Sequence, residues 1–297
     1  MTDVLSSYSL AKLWLPLSGA NNGTVFTDYS LSPKTITTVG NSKTVTSNFK
    51  FYDSSAYFDG AGDCIRASNA ELAFGTEDFT IEFWAYFING GHGQTNARLA
   101  ATGMSGVSGG FSLVCANDEN PTRLAFQGSL STDFNNLTAS TIPNDEWVHI
   151  AVYRISGVVY LAVNGTIQIN AASIPFDFVD SNLSIGANNA GTESFNGYIQ
   201  DFRVHKGLSL YDANPFTPPT KIISSISGVV RPPVGDQLNH EVIIFPRCWP
   251  TKTWNTTSSA VDGTFLFSNI PSTEYCRVVL NRGSTPKNDI MSRIVVQ

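Results

Sequence analysis

The residues best suited by type and spacing to do chemistry are the carboxylates of Glu77-Asp78-Phe79-Thr80-Ile81-Glu82. Two acids facing one cleft are what glycosidic hydrolysis needs, one to protonate the leaving oxygen and one to act as nucleophile or base. In an extended chain the alternation puts Phe79, Ile81 and Phe83 on one face and Thr80, Glu82 and Trp84 on the other. Asp78 and Glu82 then share a face with Thr80 between them. At about 3.3 Å per residue these carboxylates stand roughly 13 Å apart, beyond the roughly 5 to 9.5 Å of retaining and inverting pairs. Catalysis is therefore not expected here.

Other nucleophile settings fare no better. His92, His149, His205 and His240 have no adjacent Ser or Cys, and no Gly-x-Ser-x-Gly elbow occurs. His149, close to Trp147 in an apolar run, is expected to be a hydrogen-bonded structural residue. The Gly-rich stretches Gly90-Gly-His-Gly and Gly106-Val-Ser-Gly-Gly lack the strand-to-helix context and the Lys of a phosphate loop, and read as rim loops. Cys64, Cys115, Cys248 and Cys276 show no Cys-x-x-Cys pair and no zinc-finger spacing, so a metal cluster is not indicated. Buried thiols are expected, with Cys248 and Cys276 the pair that could bridge.

The elements that must position any site are strands. Charged residues make up 14% of the chain and aromatics 11%, the profile of turn-rich, aromatic-cored β proteins. The net charge of −6 comes without any cluster of Lys or Arg, so nucleic acid and anionic membranes are disfavoured as partners. The start lacks a basic, then apolar, leader pattern, and the longest apolar stretch is Val158–Val163, so neither export nor membrane insertion is expected. Five Asn-x-Ser/Thr triplets read as ordinary turn and strand residues.

Strands are predicted at 78–87, 98–102, 111–116, 124–127, 147–154, 158–163 and 183–185. A hairpin is predicted from Tyr57-Phe-Asp-Gly through Ala-Gly-Asp to Cys64-Ile-Arg-Ala, and another at Asn164-Gly165, whose residues favour a type I′ turn. Trp84 and Trp147 are expected to pack inside, between two sheets. Three prolines in Asn214-Pro-Phe-Thr-Pro-Pro mark an exit segment, and the domain boundary is placed near Ser224. Beyond it, runs at Ile226-Ser-Gly-Val-Val, Glu241-Val-Ile-Ile-Phe, Thr264-Phe-Leu-Phe and Tyr275-Cys-Arg-Val-Val-Leu, with a turn at Asp262-Gly, predict a second, smaller sandwich.

The set Tyr57-Phe-Asp-Gly, Asp78-Phe-Thr-Ile-Glu-Phe-Trp, Glu146-Trp-Val-His-Ile-Ala-Val, Tyr160-Leu-Ala-Val-Asn-Gly and Leu183-Ser-Ile-Gly-Ala, with Phe195-Asn-Gly-Tyr-Ile-Gln-Asp-Phe-Arg-Val closing it, resembles the concanavalin A-like, laminin-G-like family. The resemblance implies an all-β chain with a large jelly-roll sandwich over residues 1–223. Residues 224–297 resemble transthyretin-like, carboxypeptidase regulatory-type domains, which implies a small immunoglobulin-like β-sandwich. Asn288-Asp-Ile-Met-Ser-Arg-Ile-Val looks like the version of that module found in tailed-phage structural proteins.

The first resemblance implies ligands at rim loops or on the concave face, and calcium bound by rim Asp side chains and carbonyls, with Asp118 and Asp180 the candidates and Asp59 and Asp63 a second cluster. It also supplies a glycan-degrading alternative, against which the departed carboxylate motif counts, since Thr80 stands where the family's hydrolases place an acid. For a carbohydrate site, Asn117, Asn188, Asn189 and Glu193 offer amides and a carboxylate, while the exposed ring that should accompany them cannot be read from the chain. The two modules together imply a virion component that adheres to host-surface carbohydrate, assembled as a homo-oligomer with other virion proteins, or a purely structural connector.

Overall fold

The computed structural model describes residues 10–103, 107–116, 121–128, 135–138, 140–170 and 176–219 and, further on, the backbone of strands at 223–229, 241–246, 255–258, 264–271 and 275–281. The chain divides into two compact units, Leu10–Pro218 and one that holds Pro219–Gln297. Strands dominate both, and the described helix is a single short 3-10 turn at Ala70–Leu72.

In the larger unit the strands run β1 (Leu13–Leu15), β2 (Ile36–Val39), β3 (Lys43–Val45), β4 (Ser55–Asp59), β5 (Cys64–Ser68), β6 (Phe79–His92), β7 (Arg98–Thr102) and β8 (Phe111–Ala116). They continue with β9 (Arg123–Gly128), β10 (Asn135–Leu137), β11 (Trp147–Ile155), β12 (Val158–Val163), β13 (Thr166–Asn170), β14 (Asn182–Ile185) and β15 (Phe195–Lys206). One sheet is eight-stranded in the order β13-β12-β11-β6-β15-β4-β3, with β1 also paired to β15, and the other is seven-stranded in the order β10-β9-β8-β7-β14-β5-β2. All pairings between these strands are antiparallel, as in a jelly roll.

Alternation explains the core. Phe79, Ile81, Phe83, Ala85 and Phe87 of β6, Val148, Ile150 and Val152 of β11, and Leu113 and Cys115 of β8 all lie in one apolar cluster between the sheets. At one end Phe74 stacks on Phe79 with centroids 4.6 Å apart, and Phe178 meets Phe79 edge-on at 5.7 Å. Arg154 closes that end, its guanidinium donating to the carbonyls of Gly75, Glu77 and Phe176 beneath the rings of Phe79 and Phe178. A buried cation is tolerated here because backbone oxygens take its donors. The Asn164-Gly165 turn joins β12 to β13 with φ of 49° and 75°, the pair of positive values that type I′ requires.

Two expectations need correction. Tyr57 to Ala67 is not a hairpin: β4 pairs with β15 and β3 in one sheet, whereas β5 pairs with β14 and β2 in the other. Gly60 and Gly62, at φ of 83° and 94°, let the chain cross between layers, and Asp63 holds the corner by accepting from the backbone N–H of Asn41 (2.7 Å) and Asp59 (3.1 Å). A Gly-rich break between alternating runs fits a crossover as well as a hairpin, so the sequence signal was ambiguous. Trp84 and Trp147, in turn, do not lie between the sheets. They project from the outer face of the eight-stranded sheet, because their strand positions have the opposite parity to Phe83 and Val148.

In the second unit the described strands are β16 (Ile223–Val229), β17 (Glu241–Pro246), β18 (Asn255–Ser258), β19 (Thr264–Pro271) and β20 (Tyr275–Asn281). β16 pairs with β19, and β18-β17-β20 form a three-stranded sheet, so each run predicted there is extended over its described residues. Asp262-Gly, Cys248 and the segment from Asn288 lie outside the described residues.

Candidate functional site

The outer face of the eight-stranded sheet is built in rows across β4, β15, β6 and β11. Tyr57 faces Tyr198, Tyr198 faces Tyr86, and Tyr86 faces Trp147, each in direct register. Four aromatic rings thus stand side by side on four adjacent strands, with centroids 5.1 Å (Tyr57 to Tyr198), 5.5 Å (Tyr198 to Tyr86) and 5.8 Å (Tyr86 to Trp147) apart. All four are half-buried, leaving ring surface open to solvent. The Trp147 indole N–H donates to Asn48 Oδ1 at 2.9 Å, which fixes the ring's orientation. Burial pushes the Tyr86 and Tyr57 phenols up, with Asp145 adding to the first and Tyr198, Asp59 and Asp63 to the second. Both stay protonated at neutral pH and can donate as well as accept.

The next rows are covered. Trp84 meets Phe51 edge-on at 5.6 Å and carries Lys50 Nζ 4.2 Å above its ring. Gln200 pins that covering loop, its Oε1 accepting from the N–H of Lys50 and Phe51 and its Nε2 donating to the carbonyls of Phe51 and Ser54. Beyond it Glu82, fully buried, lies 3.3 Å from Arg203 Nη2 and 3.2 Å from His149 Nε2, and accepts from the Tyr211 hydroxyl. Arg203 also reaches Asp201 at 3.6 Å, and Asp201 accepts from the Trp14 indole at 2.9 Å. Tyr211 and Phe216, stacked at 3.6 Å, lie over these groups, and Phe216 N–H donates to Gly165 O.

That geometry decides what Glu82 can do. Burial raises a carboxyl's pKa, but the Arg203 charge and the His149 hydrogen bond outweigh it and hold Glu82 well below the usual carboxylate range. A carboxylate held ionised at neutral pH and covered by Tyr211 has no proton to give to a leaving group. Asp78, the other acid of its face, accepts from the backbone N–H of Ser156 at 2.8 Å.

Residues 59–209 match the concanavalin A-like lectin/glucanases superfamily. The chain belongs to that superfamily. Among solved structures, the binding domain of botulinum neurotoxin serotype D is similar over 98% of this chain and 80% of its own, at 14% identity and a TM-score of 0.53. A botulinum neurotoxin type C structure, whose cell entry depends on interaction with two ganglioside molecules, is similar over 95% of this chain at 13% identity and a TM-score of 0.52. This chain spans 64% of that structure's length. Domain 4 of a GH43 extracellular arabinanase from Geobacillus stearothermophilus, in complex with arabinotriose, gives 18% identity over 66% of this chain and 92% of its own, at a TM-score of 0.49. No curated protein matches the chain. At these identities the two botulinum neurotoxin likenesses show the fold alone.

The rim residues expected from sequence are placed as follows. Asn188 Nδ2 donates to Thr192 Oγ1 (2.8 Å) and Glu193 Oε2 (2.6 Å), while its Oδ1 accepts from the N–H of Ala190 and Thr192. Glu193 also pairs with Arg98 at 2.7 Å. Asn189 donates to Gly103 O and Asn182 O and accepts from Ser184. Asn188 and Glu193 thus stand together, with their polar atoms engaged in ordering one loop. Asp180 Oδ1 accepts from the N–H and side-chain amide of Asn182, and Asp59 Oδ1 accepts from Ala61 N–H. Calcium needs about six to eight oxygens, and among the described residues no three His, Cys, Asp or Glu gather for a metal. Asn117 and Asp118 lie outside the described residues. The four-ring row escaped sequence reading because its members come from four distant segments. The signal that could have found it was parity: Tyr57, Tyr86, Trp147 and Tyr198 all occupy the non-core phase of their strands.

Proposed function

We propose that the larger unit is a non-catalytic glycan-binding module whose ligand lies across Tyr57, Tyr198, Tyr86 and Trp147. The observation that carries this reading is the in-register row of four half-exposed rings, flanked by the Asn48 amide and the Asp145 carboxylate. Pyranose rings present flat C–H faces that pack on aromatic planes, while phenols and amides take their hydroxyls. The structural relatives support it in kind, one being described with gangliosides. The covered, ion-paired Glu82 favours binding over cleavage.

The setting we propose is a tailed-phage virion, as a tail, tail-fibre or decoration component, with the transthyretin-like C-terminal unit docked to other virion proteins and the lectin-like unit turned toward host-surface carbohydrate. The two resemblances in one chain support this, as does the Asn288–Val295 segment. The test is a glycan array probed with the full chain and with Tyr198→Ala, paired with a reducing-end assay on every glycan that binds. Binding lost in the variant, with no new reducing ends, is the expected result. New reducing ends would make the protein a hydrolase, and no binding by a folded chain would leave it a structural connector.

A further inference from the structure

A cavity of about 460 Å³ opens on the other sheet, lined by Thr35, Thr37, Arg66, Ser68, Asn182 and Asn189. Arg66 and Ser68 alternate with Ile65 and Ala67 on β5, and only the latter two join the core cluster, so the cavity lies on the outer face of the seven-stranded sheet. It is a different surface from the ring row and is argued independently of it.

The walls are fixed before any ligand arrives. Ser68 Oγ donates to Asn182 Oδ1 at 2.7 Å, Asn182 Nδ2 donates to Asp180 Oδ1 at 3.2 Å, and Asn189 Nδ2 donates to Asn182 O at 3.0 Å. Arg66 is the exception. It is half-buried on β5 between Thr37 and Ser184, and its Nε is buried without a hydrogen-bond partner. None of the ion pairs among the described residues involves it. Its side chain lies beside the Cys64 thiol, and in a chain of net charge −6, where the buried cations Lys34, Arg98, Arg154 and Arg203 hold carboxylates or carbonyls, no carboxylate among the described residues pairs with Arg66 at the cavity wall.

A guanidinium fork matches a planar carboxylate through two parallel hydrogen bonds. The hydroxyls of Thr35, Thr37 and Ser68 supply neighbours suited to hydroxyl groups, and the volume is that of a small-molecule site, about 300 to 1,000 Å³. We infer that this cavity binds a carboxylated sugar, the carboxylate on Arg66 and the ring hydroxyls on the threonine and serine wall.

The experiment is calorimetric titration of the full chain at low salt with galacturonate, galactose, acetate and sulfate, repeated on Arg66→Gln, Arg66→Lys and Tyr198→Ala. The expected result is galacturonate binding at least about tenfold tighter than galactose, acetate or sulfate. Arg66→Gln should lose it by about tenfold or more and Arg66→Lys should restore it only in part, since an ammonium lacks the fork. Tyr198→Ala should leave it unchanged, while near-ultraviolet circular dichroism shows each variant folded. The inference is overturned if galacturonate does not bind, if Arg66→Gln binds it as the parent does, if acetate or sulfate matches it, or if Tyr198→Ala abolishes it. The last outcome would assign acidic sugars to the ring row. Failure of the ring row with neutral glycans would leave the Arg66 result standing.

Discussion

One face of one sheet carries two opposite solutions to the same strand geometry. Toward Tyr57 and Trp147 the outward positions hold rings that remain half-exposed, and toward Glu82 and Arg203 they hold charges that the segment Leu208–Phe216 covers. The strands are continuous through both regions, so secondary structure does not distinguish them; what lies on top does. A covered charge must be paired and hydrogen-bonded to be tolerated, and once paired it is chemically silent. An uncovered ring leaves part of its apolar surface in water, which is recovered when a ligand packs on it.

The contrast can be broken at its covered end first. Glu82→Ala removes the carboxylate beside the buried Arg203 and His149 and leaves the Tyr211 hydroxyl without its acceptor, and the expected loss is about 3 to 5 kcal/mol in urea unfolding. Gly165→Ala comes next. With φ of +75° and an added Cβ only 1.7 Å from the Phe216 carbonyl oxygen, the exit segment must lift, and a loss of about 2 kcal/mol is expected by the same measurement.

Acid sharpens the comparison. Glu82's pKa is lowered on folding, so its contribution is present above the unfolded value of about 4.3 and is lost as pH falls toward the folded one. Urea midpoints should therefore drop below about pH 5 in the parent and drop less in Glu82→Gln. At the open end, Tyr198→Ala should cost only about 1 kcal/mol of stability, as for a half-exposed side chain, while weakening glycan binding about tenfold or more. The smallest effect is expected between the sheets and behind them. Burial pushes both the Cys64 and Cys115 thiols up, so in a Cys248→Ser, Cys276→Ser background neither should react with a thiol reagent at pH 8 until the protein unfolds.

Much of the scaffold was legible in the chain. The Phe79, Ile81, Phe83 alternation identified β6 and its core face, and Asn164-Gly165 declared its turn chemistry. His149 has the structural hydrogen bond its setting implied. The sheet change between Asp59 and Cys64 was not legible, since both sides of a Gly-rich corner read as strands whichever layer they join. Nor was the fate of Trp84 and Trp147. Large aromatic side chains are usually interior, and only register against Tyr86, His149 and Gln200 shows that these two point outward. The amides of Asn188 and Asn189 were visible as polar loop residues, but their engagement by Glu193, Thr192 and Ser184 depends on a loop conformation that composition does not encode.

The most direct test of the account is calorimetric titration of one array-identified neutral glycan into the parent, Tyr198→Ala and Glu82→Gln, each verified as folded. Binding that is lost in Tyr198→Ala and kept in Glu82→Gln is the predicted result. Binding that survives Tyr198→Ala, or that disappears in folded Glu82→Gln, would contradict the assignment of recognition to the open rings and silence to the covered charges.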